Sequence, residues 1–288
     1  MALARVHKII SLELPELAPY RTLRRAAEHA AQGIFVAEGD KVVRRLLTSD
    51  FGVLSVLLPE NRVTEFEPLL QARPETDIPV FAVTKKSVLE ELVGFEMFQG
   101  VLAIGKIPAV LTLEKILADQ SRPRLLAAVD GLTSAENIGL LVRNCAAFGV
   151  QALIVGETSS SPFLRRAVRN SMGTIFQLPV VELNPESRTN RTRNLPATLR
   201  ELRARGVRCL AAHPHTENKF LAQADFRGDC CLVFGSEGNG LSPEVLAACD
   251  EAVAVPMANG VDSLNVGAAA AVFLYEASRQ RNPGGGRR

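Results

Sequence analysis

Five polar residues draw attention by their neighbours: Asn137, Arg143, Glu237, Ser263 and Asn265. Asn137 and Arg143 flank the start of a predicted helix, Ile138–Phe148, whose apolar positions are Ile138, Leu141, Val142 and Cys145. That pattern leaves Arg143 available to face a site. Glu237 sits between Gly235 and Gly238, and Ser263 and Asn265 bracket Leu264 just ahead of another predicted helix. Taken singly, each has an ordinary explanation. Arg143 reads as a surface arginine, Glu237 as a turn acid, and Ser263 and Asn265 as helix N-caps.

The elements that must position them share one plan. Cys231–Phe234 is a continuous apolar run followed by Gly235-Ser236-Glu237-Gly238-Asn239-Gly240 and a helix start at Ser242-Pro243. Ala252–Val255 is a second such run, closed by Pro256, and a polar loop leads to a helix rich in small apolar residues from Leu264. Two strand-to-loop junctions of this kind line one ligand site at the carboxyl edge of a parallel sheet. The site is not a dinucleotide fold's pyrophosphate turn, because Asp130-Gly131-Leu132-Thr133 after the first strand lacks the G-x-G-x-x-G spacing. The late glycines and the Pro256 loop suggest a cofactor gripped by backbone groups and apolar side chains, without a diphosphate. That absence also weighs against a nicotinamide-dependent oxidoreductase.

Around these junctions the chain divides by rhythm. Residues 1–17 carry scattered charges and are expected to form a loosely held arm. Over 18–107, helices and short strands alternate, from a basic helix Tyr20–Ala31 to a helix Ser87–Val93 and a last strand at Val101–Ile104, giving a small α/β domain. Pro108, a short amphipathic helix Leu111–Leu117 and Ser121-Arg122-Pro123 mark a linker over 108–123. From 124 to 281, six strand-helix alternations with continuous apolar strands predict a parallel sheet covered on both faces. A polar insert, 184–194, interrupts this domain, and residues 282–288 are expected to be a disordered tail.

The 288 residues carry a net charge of only +2, which does not announce a nucleic-acid partner. Between Arg165 and Arg208, however, ten arginines face three acids. That excess is either a solvated helical face or a phosphate-facing surface, for which Arg165, Arg166 and Arg169 are the candidates. Five cysteines, mostly in apolar runs and without a C-x-x-C pair, read as reduced core residues of a cytoplasmic protein. His213 and His215 flank Pro214 with no cysteine or acid at ligand spacing, so no metal is expected. The apolar run Val266–Tyr275 is too short to cross a bilayer.

Three motifs then carry a resemblance. Glu136-Asn137-Ile138-Gly139-Leu140-Leu141-Val142-Arg143-Asn144, Phe234–Ser242, and Val255-Pro256-Met257 through Asp262-Ser263-Leu264-Asn265-Val266 resemble, in order, the signature motifs of the SpoU (TrmH-like) RNA 2′-O-ribose methyltransferases of the SPOUT superfamily. A shorter match, Phe35-Val36-Ala37-Glu38-Gly39 and Gln99-Gly100-Val101-Leu102-Ala103, resembles that family's ribosomal-protein-like RNA-binding domain. The resemblance implies a deep trefoil knot in the carboxy-terminal domain, S-adenosylmethionine as methyl donor, and a homodimer packed through the last helix and the first motif's helix. It implies a pocket lined by Gly235, Val255, Met257 and Leu264. Asn137, Arg143, Glu237, Ser263 and Asn265 become catalytic candidates, with RNA as substrate: ribosomal RNA first, transfer RNA as the alternative. A catalytically silent RNA binder that kept the fold is the alternative from another class.

Overall fold

The computed structural model of the chain describes residues 5–75, 77–85, 100–119, 121–183, 194–214 and 219–282. It divides into two compact units, Met1–Ala109 with Phe163–Phe176, and Val110–Pro162 with Gln177–Arg288. The helix expected at 87–93, most of the insert at 184–194, His215 and the glycine-rich tail lie outside the described residues.

The first unit contains β1 (Arg5–Ile9), α1 (Ala18–Arg21), α2 (Ala26–Ala31), β2 (Ile34–Glu38), α3 (Asp40–Leu47), β3 (Val53–Pro59), α4 (Val63–Gln71), β4 (Pro79–Val83) and β5 (Leu102–Lys106). Its sheet has the order β1-β4-β3-β5-β2, with β1 and β3 parallel to β4, and β5 antiparallel to both β3 and β2. Two expectations are corrected here. Arg5–Ile9, inside the segment expected as a loose arm, is an edge strand in register with Pro79–Val83. Ile9, Leu12 and Leu17 bury its flank; their spacing of three and five residues matches neither a strand's period nor a helix's over this stretch. The single helix expected over Tyr20–Ala31 is two, broken at 22–25. The Thr22 hydroxyl donates back to the Ala18 carbonyl at 3.1 Å while Leu23 turns into the core, so the chain bends to bury Tyr20 and Leu23 together.

The second unit contains α5 (Leu113–Asp119), β6 (Leu125–Val129), α6 (Ala135–Ala147) and β7 (Ala152–Val155). After α7 (Arg165–Asn170), which belongs to the first unit, come β8 (Val180–Glu182), α8 (Leu195–Ala204), β9 (Arg208–Ala212), β10 (Cys230–Phe234), α9 (Pro243–Ala248), β11 (Glu251–Val253) and α10 (Val266–Arg281). All six strands are parallel, in the order β11-β9-β10-β6-β7-β8. Strands buried on both faces explain the continuous apolar runs. The segment expected as a linker is more than that: Leu113, Ile116 and Leu117 of α5 are built into the sheet's core. Cys145, Cys209, Cys230 and Cys231 are buried and unbridged, and burial pushes the partly buried Cys249 thiol up to about 12. No helix among the described residues is long and apolar enough to cross a membrane.

Chain order does not explain the membership of Phe163–Phe176; packing does. Phe163 and Phe176 lie 5.8 and 5.5 Å, centroid to centroid, from Phe35, and Phe176 lies 5.3 Å from Phe51. Between the two phenylalanines, Arg165 and Arg169 of α7 reach the two oxygens of Glu38 at 3.0 and 2.8 Å. Glu38 is 6% exposed, and the Arg45 guanidinium donates to the Met172 carbonyl at 2.6 Å. A buried carboxylate is tolerable only when paired, so the two arginines satisfy Glu38 as much as it anchors them. Glu38→Ala is expected to destabilise the first unit by about 3 kcal/mol, chiefly through the better-buried Arg165. Urea unfolding followed by fluorescence or circular dichroism checks this, and an unchanged midpoint would contradict the anchoring role.

Candidate active site

The carboxyl ends of β9, β10 and β11 open onto one cavity of the second unit, and the loop after β10 forms its floor. Gly235 is required there by sterics. A Cβ on it would stand 2.2 Å from the Gly240 carbonyl carbon, because the loop doubles back on itself. Ser236 and Gly240 exchange backbone hydrogen bonds of 3.0 Å, and Gly240 takes φ +66°, a conformation that favours glycine. The turn lifts Glu237, Gly238 and Asn239 into solvent.

Asn265 joins this loop to the other two motifs. Its Oδ1 accepts from the backbone N–H of Gly267 at 2.9 Å and of Ala268 at 3.4 Å, capping α10. Its Nδ2 donates to Asn137 Oδ1 at 3.1 Å and to Glu237 Oε1. Asn137, 8% exposed, sits in the first turn of α6, where its backbone N–H donates to Ser134 Oγ at 3.3 Å. About two turns on, Asn144 Nδ2 donates to the Gly267 carbonyl at 2.7 Å. A Cβ on Gly267 would lie 3.1 Å from Leu140 Cβ, so glycine lets α6 and α10 approach. Capping does explain Asn265, but the same amide also carries the connection between motifs.

The cavity measures about 340 Å³, within the range of small-molecule sites. Gly235, Val255, Met257 and Leu264 all line it, as do Ser263, Glu237 and the backbone of 235–240. Phe234, Val253, Val266 and Phe273 give it apolar walls, and Ala212, His213 and Pro214 form the β9 side. These last were missed as lining residues. The available signal was the Ala-His-Pro stop after an apolar strand, which gains meaning only once β9 is known to neighbour β10 and β11. Among the described residues no cluster of histidine, cysteine and carboxylate side chains could hold a metal ion.

The structure does not bring Arg143 to this cavity within one chain. Six residues along a helix is about 240° around its axis, so Arg143 leaves α6 on another face from Asn137. It is exposed and is not among the lining residues. Arg165 and Arg169 lie in the first unit on Glu38, beside the exposed Arg166. Gly235→Ala should destabilise the 235–240 turn by about 1–3 kcal/mol, because the added Cβ meets the Gly240 backbone. Amide hydrogen exchange at Ser236 and Gly240, each now held by the other's carbonyl, should accelerate more than exchange in the β6–β10 core. Unaltered exchange at both amides would show that the turn tolerates a side chain.

Residues 124–275 match the SpoU rRNA Methylase family. An uncharacterized tRNA/rRNA methyltransferase of Mycobacterium tuberculosis is 32% identical over 273 residues, which span 92% of this chain and 89% of that protein. The 23S rRNA (guanosine-2′-O-)-methyltransferase RlmB of Ralstonia nicotianae is 34% identical over 195 residues, 67% of this chain and 74% of its own. Among solved structures, the SpoU methyltransferase AviRb from Streptomyces viridochromogenes in complex with AdoMet superposes with a TM-score of 0.74 at 26% identity, covering 94% of this chain and 99% of that one. With its three motifs meeting at one asparagine and a match spanning more than half its length, this chain belongs to the SpoU rRNA methylase family.

Proposed function

We propose that this protein transfers a methyl group from S-adenosylmethionine to a ribose 2′-hydroxyl of ribosomal RNA, working in the cytoplasm. The observation that carries the reading is the Asn265 junction: one amide bonded to Asn137 and Glu237 at the mouth of a cavity lined by Gly235, Val255, Met257 and Leu264. The residues fit the donor. The walls are apolar, the turn after β6 lacks the G-x-G-x-x-G spacing of a diphosphate loop, and Glu237 supplies a carboxylate beside a cavity that would take a cationic ligand. When bound, S-adenosylmethionine supplies a sulfonium-activated methyl group and leaves as a neutral thioether.

The protein's share of the chemistry is then position and proton handling. Asn137, Ser263 and Asn265 hold the loops and orient the hydroxyl, and Glu237 braces the second motif through Asn265. Arg143 clamps the phosphate beside the target ribose and stabilises developing negative charge on the oxygen. A guanidinium with a pKa above about 12 suits that role better than proton abstraction. Arg143 lies outside its own chain's cavity, and a homodimer would carry it to the partner's. Support comes from the packed pair α6 and α10, which expose Leu140, Val272 and Tyr275 at 40, 38 and 57%. A deep knot in the second unit is part of the same reading. It is supported by β10 entering the sheet between β9 and β6, and by α10 returning to pack on α6. The first unit is assigned to RNA recognition, with Arg166 and the half-exposed Arg169 meeting phosphate and Arg165 holding the helix through Glu38.

The direct test is incubation of the protein with ribosomal RNA and methyl-labelled S-adenosylmethionine, followed by mapping of 2′-O-methylated nucleotides. Label on a base, or none, rejects the reading. Arg143→Lys should lower turnover by about a hundredfold, the scale of losing a group that stabilises transition-state charge, with S-adenosylmethionine affinity retained; near-normal turnover excludes the clamp. Tyr275→Asp should shift the protein to monomer in analytical ultracentrifugation and abolish turnover with it; an active monomer would place Arg143 in its own chain's site.

A further inference from the structure

The loop 235–241 is tied at both ends to one residue that does not line the cavity. Asp130, the first residue after β6, donates its backbone N–H to the Phe234 carbonyl at 2.9 Å, just before the loop. Its Oδ2 accepts from the Ser242 backbone N–H at 2.8 Å, just after it. Its Oδ1 accepts from Thr158 Oγ1 at 3.4 Å, in the loop after β7. The same Thr158 oxygen accepts from the Gly131 N–H at 3.1 Å, and Ser159 Oγ accepts from the Leu132 N–H at 3.1 Å. Asp130 is 7% exposed and has no place among the cavity's lining residues. A buried carboxylate is costly unless its oxygens are satisfied, and here they accept from the groups that shape the loop.

We propose that Asp130 is a positioning residue for the methyl-donor site: it closes the base of loop 235–241 and laces that loop to those after β6 and β7. This deepens the reading of the cavity as an S-adenosylmethionine site and rests on it. The residue type follows from the bonds. A carboxylate is acceptor-only at both oxygens and so receives Ser242 N–H on one and Thr158 O–H on the other. An asparagine offers one accepting oxygen. Turned toward Ser242, it points its NH2 at a Thr158 hydroxyl already accepting from Gly131. Turned the other way, it sets a donor against the Ser242 N–H. Either way one tie is lost or shared. Asp130 touches no reacting group, so its loss should be felt as weaker donor binding rather than slower chemistry.

The experiment compares wild type, Asp130→Asn and Thr158→Val. Amide exchange is read in the ligand-free proteins, S-adenosylmethionine binding by calorimetry, and kcat and KM with RNA. Asp130→Asn should speed exchange at Ser236 and Gly240 and raise the Kd and KM for S-adenosylmethionine, each by about tenfold, the scale of a hydrogen bond to a charged group. The kcat at saturating donor and the RNA affinity should hold. Thr158→Val, which keeps the Ser242 tie, should show a smaller effect in the same direction. The proposal is overturned if loop exchange stays at the wild-type level in Asp130→Asn. It is equally overturned if exchange rises uniformly across β6 and β10 with a matching fall in Tm, because that is general destabilisation. Should Asp130→Asn fail to fold, Thr158→Val decides alone: unchanged loop exchange there overturns the lacing. Faster loop exchange in a protein whose wild type binds no S-adenosylmethionine would sustain the tie and reject only the donor's identity.

Discussion

One side-chain amide holds the site together. Asn265 has an oxygen to spend on the orphan N–H groups at the start of α10 and an NH2 to spend on Asn137 and Glu237. Few side chains of that length can do both. An aspartate would cap the helix but set negative charge against Glu237, and a serine is too short to bridge three elements. The identities of the three polar partners are therefore coupled, although they lie 128 and 28 residues from Asn265 along the chain.

A parallel sheet makes such a meeting possible. Every strand ends at the same edge, so the loops after β9, β10 and β11 emerge side by side. Placing β10 between β9 and β6 sets its glycine turn at the centre of that edge. Gly235 lets the turn close on itself, and Gly267 lets α10 settle against α6. Both glycines act by what they leave out, and the apolar strands behind them supply the rigid backing on which a small cavity depends.

The first unit shows the opposite economy, in which charges are used for docking. The excess of arginine between Arg165 and Arg208 is visible in the sequence, but a count along the chain takes no notice of acids elsewhere. Glu38 lies 127 residues before Arg165 and occupies two of those arginines. Phe163 and Phe176, on either side of them, complete a ring cluster with Phe35 and Phe51. Within this unit, β2 thus carries both the carboxylate and one of the aromatic rings to which the later segment is fixed.

What the residues alone determined was local. The strand-loop-helix rhythm, the parallel sheet and the glycine turn were legible, because burial on two faces and tight turns leave marks within a few neighbouring positions; the lining positions Gly235, Val255, Met257 and Leu264 came only through the resemblance of the three motifs to a known family. What required the tertiary structure was non-local. Arg5–Ile9 became a strand because β4 offers it an edge. Phe163–Phe176 joined the first unit through partners more than a hundred positions away. His213 entered the cavity wall by strand order, Asp130 met the backbone N–H of Ser242, and Arg143 proved to lie outside its own chain's cavity. In each case the deciding neighbour is brought up by the fold, and no pattern in the surrounding residues can announce a partner that only chain crossing supplies.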